Sequence, residues 1–580
     1  MHPWLRIHLE RRAAALAAGV LLTFVVSGLN LVGPVLSGSL VDRVVVGGDK
    51  SLLWPILGAM AGAILVKSLI RYGYQMLFER ASQATIRACR EELFAKLQRM
   101  DFGYFDRTKT GDVMAHMTGD IDAVRHMIAW VVYQTCENGS VFLASLAALF
   151  LVNWKLTLAM FAATPLLAFF TLGLSREVKP TFAAIREQFS RLNSVVQENI
   201  AGNRVVRAFS REDYEIEKFQ AENDAYRDRN VESARVWAKY IPAIEFTSGL
   251  LPVILILVGG WMIIRGSLSL GQLVTFNGLV WAIAQPLRMA GWLVNDMQRF
   301  SAAADRLDKL YSLRSAVEEG DRKLAPARVR GRVEFRDVSF SYGDERVLEG
   351  LSFVAEPGQT IGIIGPTGSG KSSVGRLLCR YYDRDSGDIL LDGIDVRDWD
   401  LDALRSSVGV TMQDIFLFSD TIEGNIAFGA PETGLDEVLR ASELANAHEF
   451  VRELPEGYDT IIGERGVGLS GGQRQRVALA RLLLVSPPVM ILDDTTSAVD
   501  VETEERIQDS IRALRGERTL IVIAHRVSTI MHADTILVIK DGRAVERGSH
   551  EELVALGGYY AEVFRHQTRS EGPAGEAGRG

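Results

Sequence analysis

A bundle of membrane-crossing helices followed by an α/β domain is the fold class this sequence predicts, and three observations predict it. Up to about residue 300 the chain carries repeated apolar stretches close to the roughly 20 residues needed to cross a bilayer. Beyond that point the runs TIGIIG, VMILD and LIVIAH are continuously apolar, as expected of parallel strands covered on both faces. Two glycine-rich turns, GPTGSGKS (Gly365 to Ser372) and LSGGQ (Leu469 to Gln473), each open a helix-patterned run. At 580 residues the chain is also too long for a single core.

Taken in order, the apolar stretches predict six transmembrane helices: Ala13 to Leu36, Leu52 to Phe78, Ile128 to Val152, Leu156 to Leu174, Ala243 to Ile264 and Gln272 to Asn295. The first follows Arg11 and Arg12 and lacks a cleavage site, which favours a retained helix over a signal peptide. Arg80, Arg87, Arg90, Lys96, Arg99, Arg107, Lys109 and Arg125 lie between spans two and three, and an equally basic segment separates spans four and five. By the positive-inside rule both long loops and both termini are expected in the cytoplasm, with short outer loops near Asp42 to Lys50, Asn153 to Lys155 and Arg265 to Gly271. The charged, helix-patterned segments Glu79 to His126 and Arg176 to Tyr240 read as helices continuing past the bilayer. Turn-like points at Phe105 to Gly111 and Ala208 to Glu212 are candidate contacts.

The expected domains are a membrane domain over 1–313, a linker over 314–330, an α/β domain over 331–568 and a disordered tail over 569–580. VEFRDVSF alternates apolar and polar residues, as a half-buried strand does. Asp392 with Gly393 and Asp541 with Gly542 read as hairpin turns. Net charge is only −8 and the basic residues form no single stripe, which argues against nucleic acid as a partner. Cys89, Cys136 and Cys379 are odd in number and lack C-x-x-C spacing, so they imply neither a disulfide framework nor a metal site.

The strand TIGIIG running into GPTGSGKS and a helix is the context that makes a phosphate loop credible. Gly365, Gly368 and Gly370 permit the tight path, Lys371 brings a point charge to the β and γ phosphates, and Ser372 offers an oxygen to Mg2+. Thr367, Ser369 and Ser373 complete the expected ATP-contacting loop. Asp493, closing VMILD, is the second expected Mg2+ carboxylate, and Tyr342, ahead of the loop, is placed to stack on adenine. In LSGGQ the residues Ser470, Gly471, Gly472 and Gln473 start a helix whose first N–H groups point toward an anion. One nucleotide is already cradled, so this second donor surface is expected to meet the triphosphate held by another cassette.

Together these motifs resemble an ATP-binding cassette exporter half-transporter, similar to bacterial lipid flippases and multidrug exporters. The resemblance covers nearly the whole chain: the phosphate loop, Gln413 after VGVTM, GERG at Gly463 to Gly466, LSGGQ, the strand ending in Asp493, SAVD at Ser497 to Asp500, and His525 in IAHR. It implies that Gln413 senses the γ phosphate and contributes to the Mg2+ site, that Asp500 communicates between sites, and that His525 contacts the γ phosphate. FDRTKTGD (Phe105 to Asp112) and ENIAGNRVVRAF (Glu198 to Phe209) resemble the family's two cytosolic coupling regions. The implied setting is the inner membrane, among membrane lipids, with a second half-transporter as partner and an amphipathic substrate, whether drug, lipid or peptide.

One position departs from the family pattern. Where the family places a glutamate that orients the attacking water, this chain has Asp494, one methylene shorter. Water activation needs hydrogen-bond reach of about 2.6 to 3.2 Å, so slow hydrolysis with intact ATP binding is expected. With LSGGQ intact, the resemblance implies one member of an asymmetric heterodimer whose partner supplies the glutamate; a homodimer of reduced activity is the alternative. An ATP-gated channel or regulatory subunit, and an importer on the same architecture, are the other functions this reading leaves open.

Overall fold

The computed structural model describes residues 2–162, 164–463, 466–496 and 499–571. The chain divides into two compact units, one of 1–98 with 109–313 and one of 99–108 with 314–580.

The first unit is helical. A short α1 (Pro3–Glu10) precedes α2 (Ala13–Leu40) and α3 (Leu53–Gln98). After α4 (Phe102–Arg107), which belongs to the other unit, come α5 (Thr110–Ala115), α6 (Ile121–His126) and α7 (Val132–Phe161), separated by π-helical turns at His116–Asp120 and Met127–Val131. Next are α8 (Thr164–Ala208), α9 (Glu212–Ile264) and α10 (Leu270–Ser312). Among the described residues, four helical stretches are long and apolar enough to cross a membrane: Ala13–Val46, Lys50–Gln98, Thr110–Phe161 and Glu212–Ile264. The fourth and sixth predicted spans fall largely on α8 and α10.

At the expected outer loop, Asn153 to Lys155, two helices within α7 meet at a break of one residue. Asn153 leaves helical geometry (φ −161°, ψ 102°), and its side chain accepts a hydrogen bond from the Leu156 amide, so the chain re-enters the helix at once. Ser269 caps α10 through a reciprocal pair with Gln272, and the end of α2 is tied to it by Asp42, which accepts from Ser269 Oγ at 2.5 Å and the Gly271 amide at 2.6 Å.

The second unit carries two sheets. β1 (Val333–Tyr342), β2 (Glu345–Ala355), β4 (Ser386–Leu391) and β5 (Ile394–Asp395) form an antiparallel sheet in the order β2-β1-β4-β5. β3 (Thr360–Ile364), β6 (Val408–Thr411), β7 (Val489–Asp493), β8 (Thr519–Ile523), β9 (Thr535–Lys540) and β10 (Arg543–Gly548) form the order β10-β9-β3-β8-β7-β6, parallel except for β10. Every residue of β3, β7 and β8 is buried, which is why those runs are apolar without alternation. The two Asp-Gly pairs do turn hairpins: Asp392 and Gly393 have φ of 51° and 77°, Asp541 and Gly542 of 48° and 76°.

Helices α11 (Lys371–Leu378), α12 (Leu401–Ser407) and α16 (Gly471–Val485) lie against the parallel sheet, and α13 (Ile422–Ile426) and α14 (Leu435–Leu444) pack on α16, with α15 (His448–Glu453) beside α14. Last come α17 (Val501–Ala513), α18 (Val527–Ile530), α19 (His550–Leu556) and α20 (Tyr559–Glu571). Helix α20 therefore runs into the tail expected from residue 569, and 572–580 lie outside the described residues.

Candidate functional site

The four parallel strands β3, β8, β7 and β6 are neighbours, and the candidate residues follow their carboxyl ends. The phosphate loop follows β3, Gln413 follows β6, Asp493 and Asp494 end and follow β7, and His525 follows β8. In register, Ile523 pairs with both Ile363 and Asp493, and Thr411 with Leu492, so the four strand ends lie side by side. Sequence order scatters these residues over 160 positions; the parallel sheet brings them to one edge.

Loop geometry explains its glycines. A Cβ on Gly365 would stand 1.9 Å from the Ile539 carbonyl oxygen, and Gly370 caps α11 at φ 93°, where a side chain would be strained. Lys371 is only 6% exposed and its ammonium donates to the carbonyls of Gly365 and Pro366, both at 2.8 Å. These bonds hold the cation curled inside the loop, and burial lowers its pKa while the charges of Asp493 and Asp494 oppose the shift. Ser369 Oγ is buried without a hydrogen-bond partner, a donor left for an anion, and Thr367 and Gly368 stand exposed at the loop's tip.

Asp493 is 8% exposed. Burial pushes its carboxyl above the ordinary range and Asp494 adds to this, while a hydrogen bond from Ser372 and the cations of Arg376 and Lys371 pull it back. Asp494 takes a left-handed backbone, φ 50°, which a short polar side chain tolerates best. Its amide donates to the Ile523 carbonyl at 2.9 Å, and its carbonyl accepts from Gln475 of α16 at 3.2 Å. Asp494 is thereby pinned between β8 and the helix that LSGGQ opens. Gln413 and His525 are both exposed.

Tyr342 closes β1 half-buried. Its hydroxyl lies 3.3 Å from Ser373 Oγ and accepts from Arg376 at 3.1 Å, and its ring meets Tyr382 edge-on at 5.1 Å. Tyr382, which sequence reasoning passed over, also donates to the Asp106 carboxylate, and Phe102 stacks on Tyr381 at 4.2 Å. The turn expected within Phe105 to Gly111 falls at Thr108 and Lys109, and before it runs a helix, α4, whose first turn is fixed by Asp101 accepting from the Tyr104 amide at 2.9 Å. Helix α4 packs into the aromatic group beside the phosphate loop.

At LSGGQ the helix start differs from expectation. Ser470 Oγ accepts from the Gln473 amide at 3.2 Å and Gln473 Oε1 from the Ser470 amide at 2.8 Å, so one of the N–H groups expected to be unpaired is satisfied within a capping box. Gly471 and Gly472 form the first turn behind it. Asp500 caps α17 by accepting from the Thr503 amide at 3.0 Å, and that bond holds its carboxyl below the usual range. Glu464 and Arg465 of GERG, and Ser497 and Ala498 of SAVD, lie outside the described residues.

In the helical unit, Asn30, Glu137 and Asp296 each meet a cation, a hydroxyl or an imidazole. Lys67 donates to Asn30 at 3.3 Å, Tyr74 donates to Glu137 at 2.6 Å with Arg71 3.4 Å away, and His126 lies 3.2 Å from Asp296. The cations sit inside the second span, where averaged hydropathy hid them.

The comparisons with known proteins agree with this geometry. The family described as ABC transporter transmembrane region matches residues 16–287, and that described as ABC transporter matches residues 348–497. The chain is 38% identical to the uncharacterized ABC transporter ATP-binding protein YknU of Bacillus subtilis, over 95% of this chain and 94% of that protein. It is 33% identical to the ATP-dependent lipid A-core flippase of Desulfotalea psychrophila, over 94% and 95%. It is 34% identical to the multidrug resistance-like ATP-binding protein MdlA of Escherichia coli, over 94% and 93%. Its fold is similar to that of a bacterial Atm1-family ABC exporter with ATP bound, at TM-score 0.78 and 29% identity, over 98% and 99% of the two chains. With its membrane helices and its ATP-hydrolysing domain on one polypeptide, the chain belongs to the ABC transporter family of translocases.

Proposed function

We propose that this chain is one half of an ATP-driven exporter of an amphipathic substrate, with a weakly hydrolytic site of its own. The observation that carries the reading is the meeting, at the carboxyl ends of the parallel strands, of a buried ammonium held inside a glycine-rich loop and a buried carboxylate. Lys371 and the loop from Gly365 to Ser373 hold the phosphates, and Tyr342 stacks on adenine. Ser372 and Asp493, already hydrogen-bonded, are hard oxygen donors that fit Mg2+, with Gln413 beside them. The ion would supply charge neutralisation at the phosphate oxygens. Asp494 orients the attacking water and His525 contacts the γ phosphate. The names of the flippase and multidrug relatives support an amphipathic drug or lipid as cargo.

A second half-transporter completes the machine, with Ser470 to Gln473 and Asp500 meeting the partner's nucleotide. The tip of the α8–α9 hairpin supports this. Ile200 and Phe209 are each 73% exposed there, two apolar side chains open to a partner. Asp494 favours a heterodimer, because a shorter carboxylate on this chain calls for a competent one on the other. The basic loops support an inner-membrane orientation with both termini in the cytoplasm.

Inverted membrane vesicles test the reading. ATP-dependent, uphill accumulation of a fluorescent amphiphile is expected, whereas simple equilibration means a channel and depletion means import. Asp494→Glu should raise ATP turnover several-fold, by about 1 kcal/mol of barrier, and an unchanged rate removes the account of the short carboxylate.

A further inference from the structure

We infer that Glu504 is a positioning residue for ATP hydrolysis, a buried carboxylate that clamps the loop bearing His525 to the segment running on from Asp494. The inference goes beyond the proposed export function and rests on the roles given there to Asp494 and His525. Glu504 lies in the first turns of α17, and it is only 7% exposed although it is an acid. Its Oε1 accepts from Thr496 Oγ1 at 3.1 Å and from Thr529 Oγ1 at 2.9 Å, and its Oε2 accepts from Arg526 Nη1 at 2.6 Å.

Those partners come from two other segments. Thr496 lies two residues past Asp494, on the loop that leaves β7. Arg526 follows His525 directly, and Thr529 sits on the short α18 one turn further on. Glu504 itself is four residues past Asp500, and its amide donates to the Asp500 carbonyl at 2.8 Å. One side chain therefore ties together the backbone stretches that carry Asp494, Asp500 and His525.

Burying a carboxylate here is costly unless every oxygen is bonded, and an apolar group of similar shape would serve plain stability as well. What the charged clamp supplies beyond stability is directional: its hydrogen bonds fix two loops, one carrying the half-buried Asp494 and the other the exposed His525. Displacing such a group by an ångström costs on the order of 100-fold in rate, so the clamp is expected to act on turnover and not on ATP affinity.

The full-length protein in lipid nanodiscs provides the test. Glu504→Gln keeps the shape and one acceptor oxygen; it should lower kcat about tenfold or more while ATP affinity stays within about twofold. Glu502→Gln, on the exposed face of the same helix, should leave both unchanged. Arg526→Gln and Thr529→Val each remove one donor and should lower kcat, with the double variant no worse than the stronger single one. They also stand in if Glu504→Gln fails to fold. Unchanged kcat in Glu504→Gln, or equal losses in kcat and affinity, overturns the inference, as do Arg526→Gln and Thr529→Val both leaving kcat within about twofold of the parent. The site assignment fails separately: it is lost if Asp494→Asn and His525→Ala leave turnover intact.

Discussion

Both units bury an apolar core, but the helical unit also turns long apolar stretches outward where the nucleotide unit does not. In β7, Val489, Met490 and Ile491 are fully buried, whereas on α3 Ile64, Leu65 and Leu69 are 56%, 62% and 63% exposed. Polar groups are buried in both units: Thr23, Ser27, Tyr74 and Glu137 at 0%, 2%, 0% and 8% exposure in the helical unit, Lys371, Asp493 and Glu504 at 6%, 8% and 7% in the nucleotide unit. The contrast teaches that burial follows solvent. In water the apolar run must find a core, while a bilayer or a partner subunit covers it from outside and leaves hydrogen bonds to hold the helices together.

The sharpest way to break the contrast is to remove the buried charge proposed to hold the phosphates. Lys371→Ala should weaken ATP binding about 100-fold, roughly 3 kcal/mol, by equilibrium binding. Matched truncations come next. Ile491→Ala should destabilise the nucleotide unit by about 2–5 kcal/mol in denaturant titrations, whereas Leu65→Ala should shift stability by less than about 0.5 kcal/mol. Equal losses would mean that Leu65 is packed in a core. Inside the helical unit, Tyr74→Phe removes the donor to Glu137 and should cost about 1–2 kcal/mol, read as a lower unfolding temperature in nanodiscs.

The smallest effect concerns Asp493. Its folded-state pKa is raised, so its contribution to stability is full at pH below the ordinary carboxylate range and is lost as pH rises through the raised value. At neutral pH its bare charge therefore weighs against the nucleotide-free fold. Asp493→Asn should unfold at a higher temperature than the parent without nucleotide, yet lose the stabilisation that Mg2+-ATP gives the parent. A lower temperature in the absence of nucleotide would mean that the carboxylate is already compensated.

Much of this was legible because local chemistry forced it. Asp392 and Gly393 announce a hairpin since few other pairs accept two positive φ angles, and Gly365 to Ser372 announce a phosphate loop since nothing bulkier fits beneath Ile539. Asn153 shows the limit: Asn153 to Lys155 read as a loop, but a single residue with a side-chain cap makes the whole break between two helices. Lys67 and Arg71 were missed because window-averaged hydropathy conceals single charges in an apolar span. Tyr382 and Glu504 gave no signal at all, since their partners lie up to 276 residues away or on loops of no regular pattern.

The sequence by itself determined the membrane-crossing stretches, the apolar strands and the glycine-rich turns of the candidate nucleotide site, because periodicity, length and backbone-restricted motifs are local properties. Only the tertiary structure decided that β3, β8, β7 and β6 present those residues along one edge, that α4 joins the nucleotide unit through Phe102 and Asp106, and that a buried Glu504 ties the loops around Asp494 and His525. Those outcomes depend on strand order and on which polar groups meet once water is excluded, and neither is encoded in any short stretch of chain.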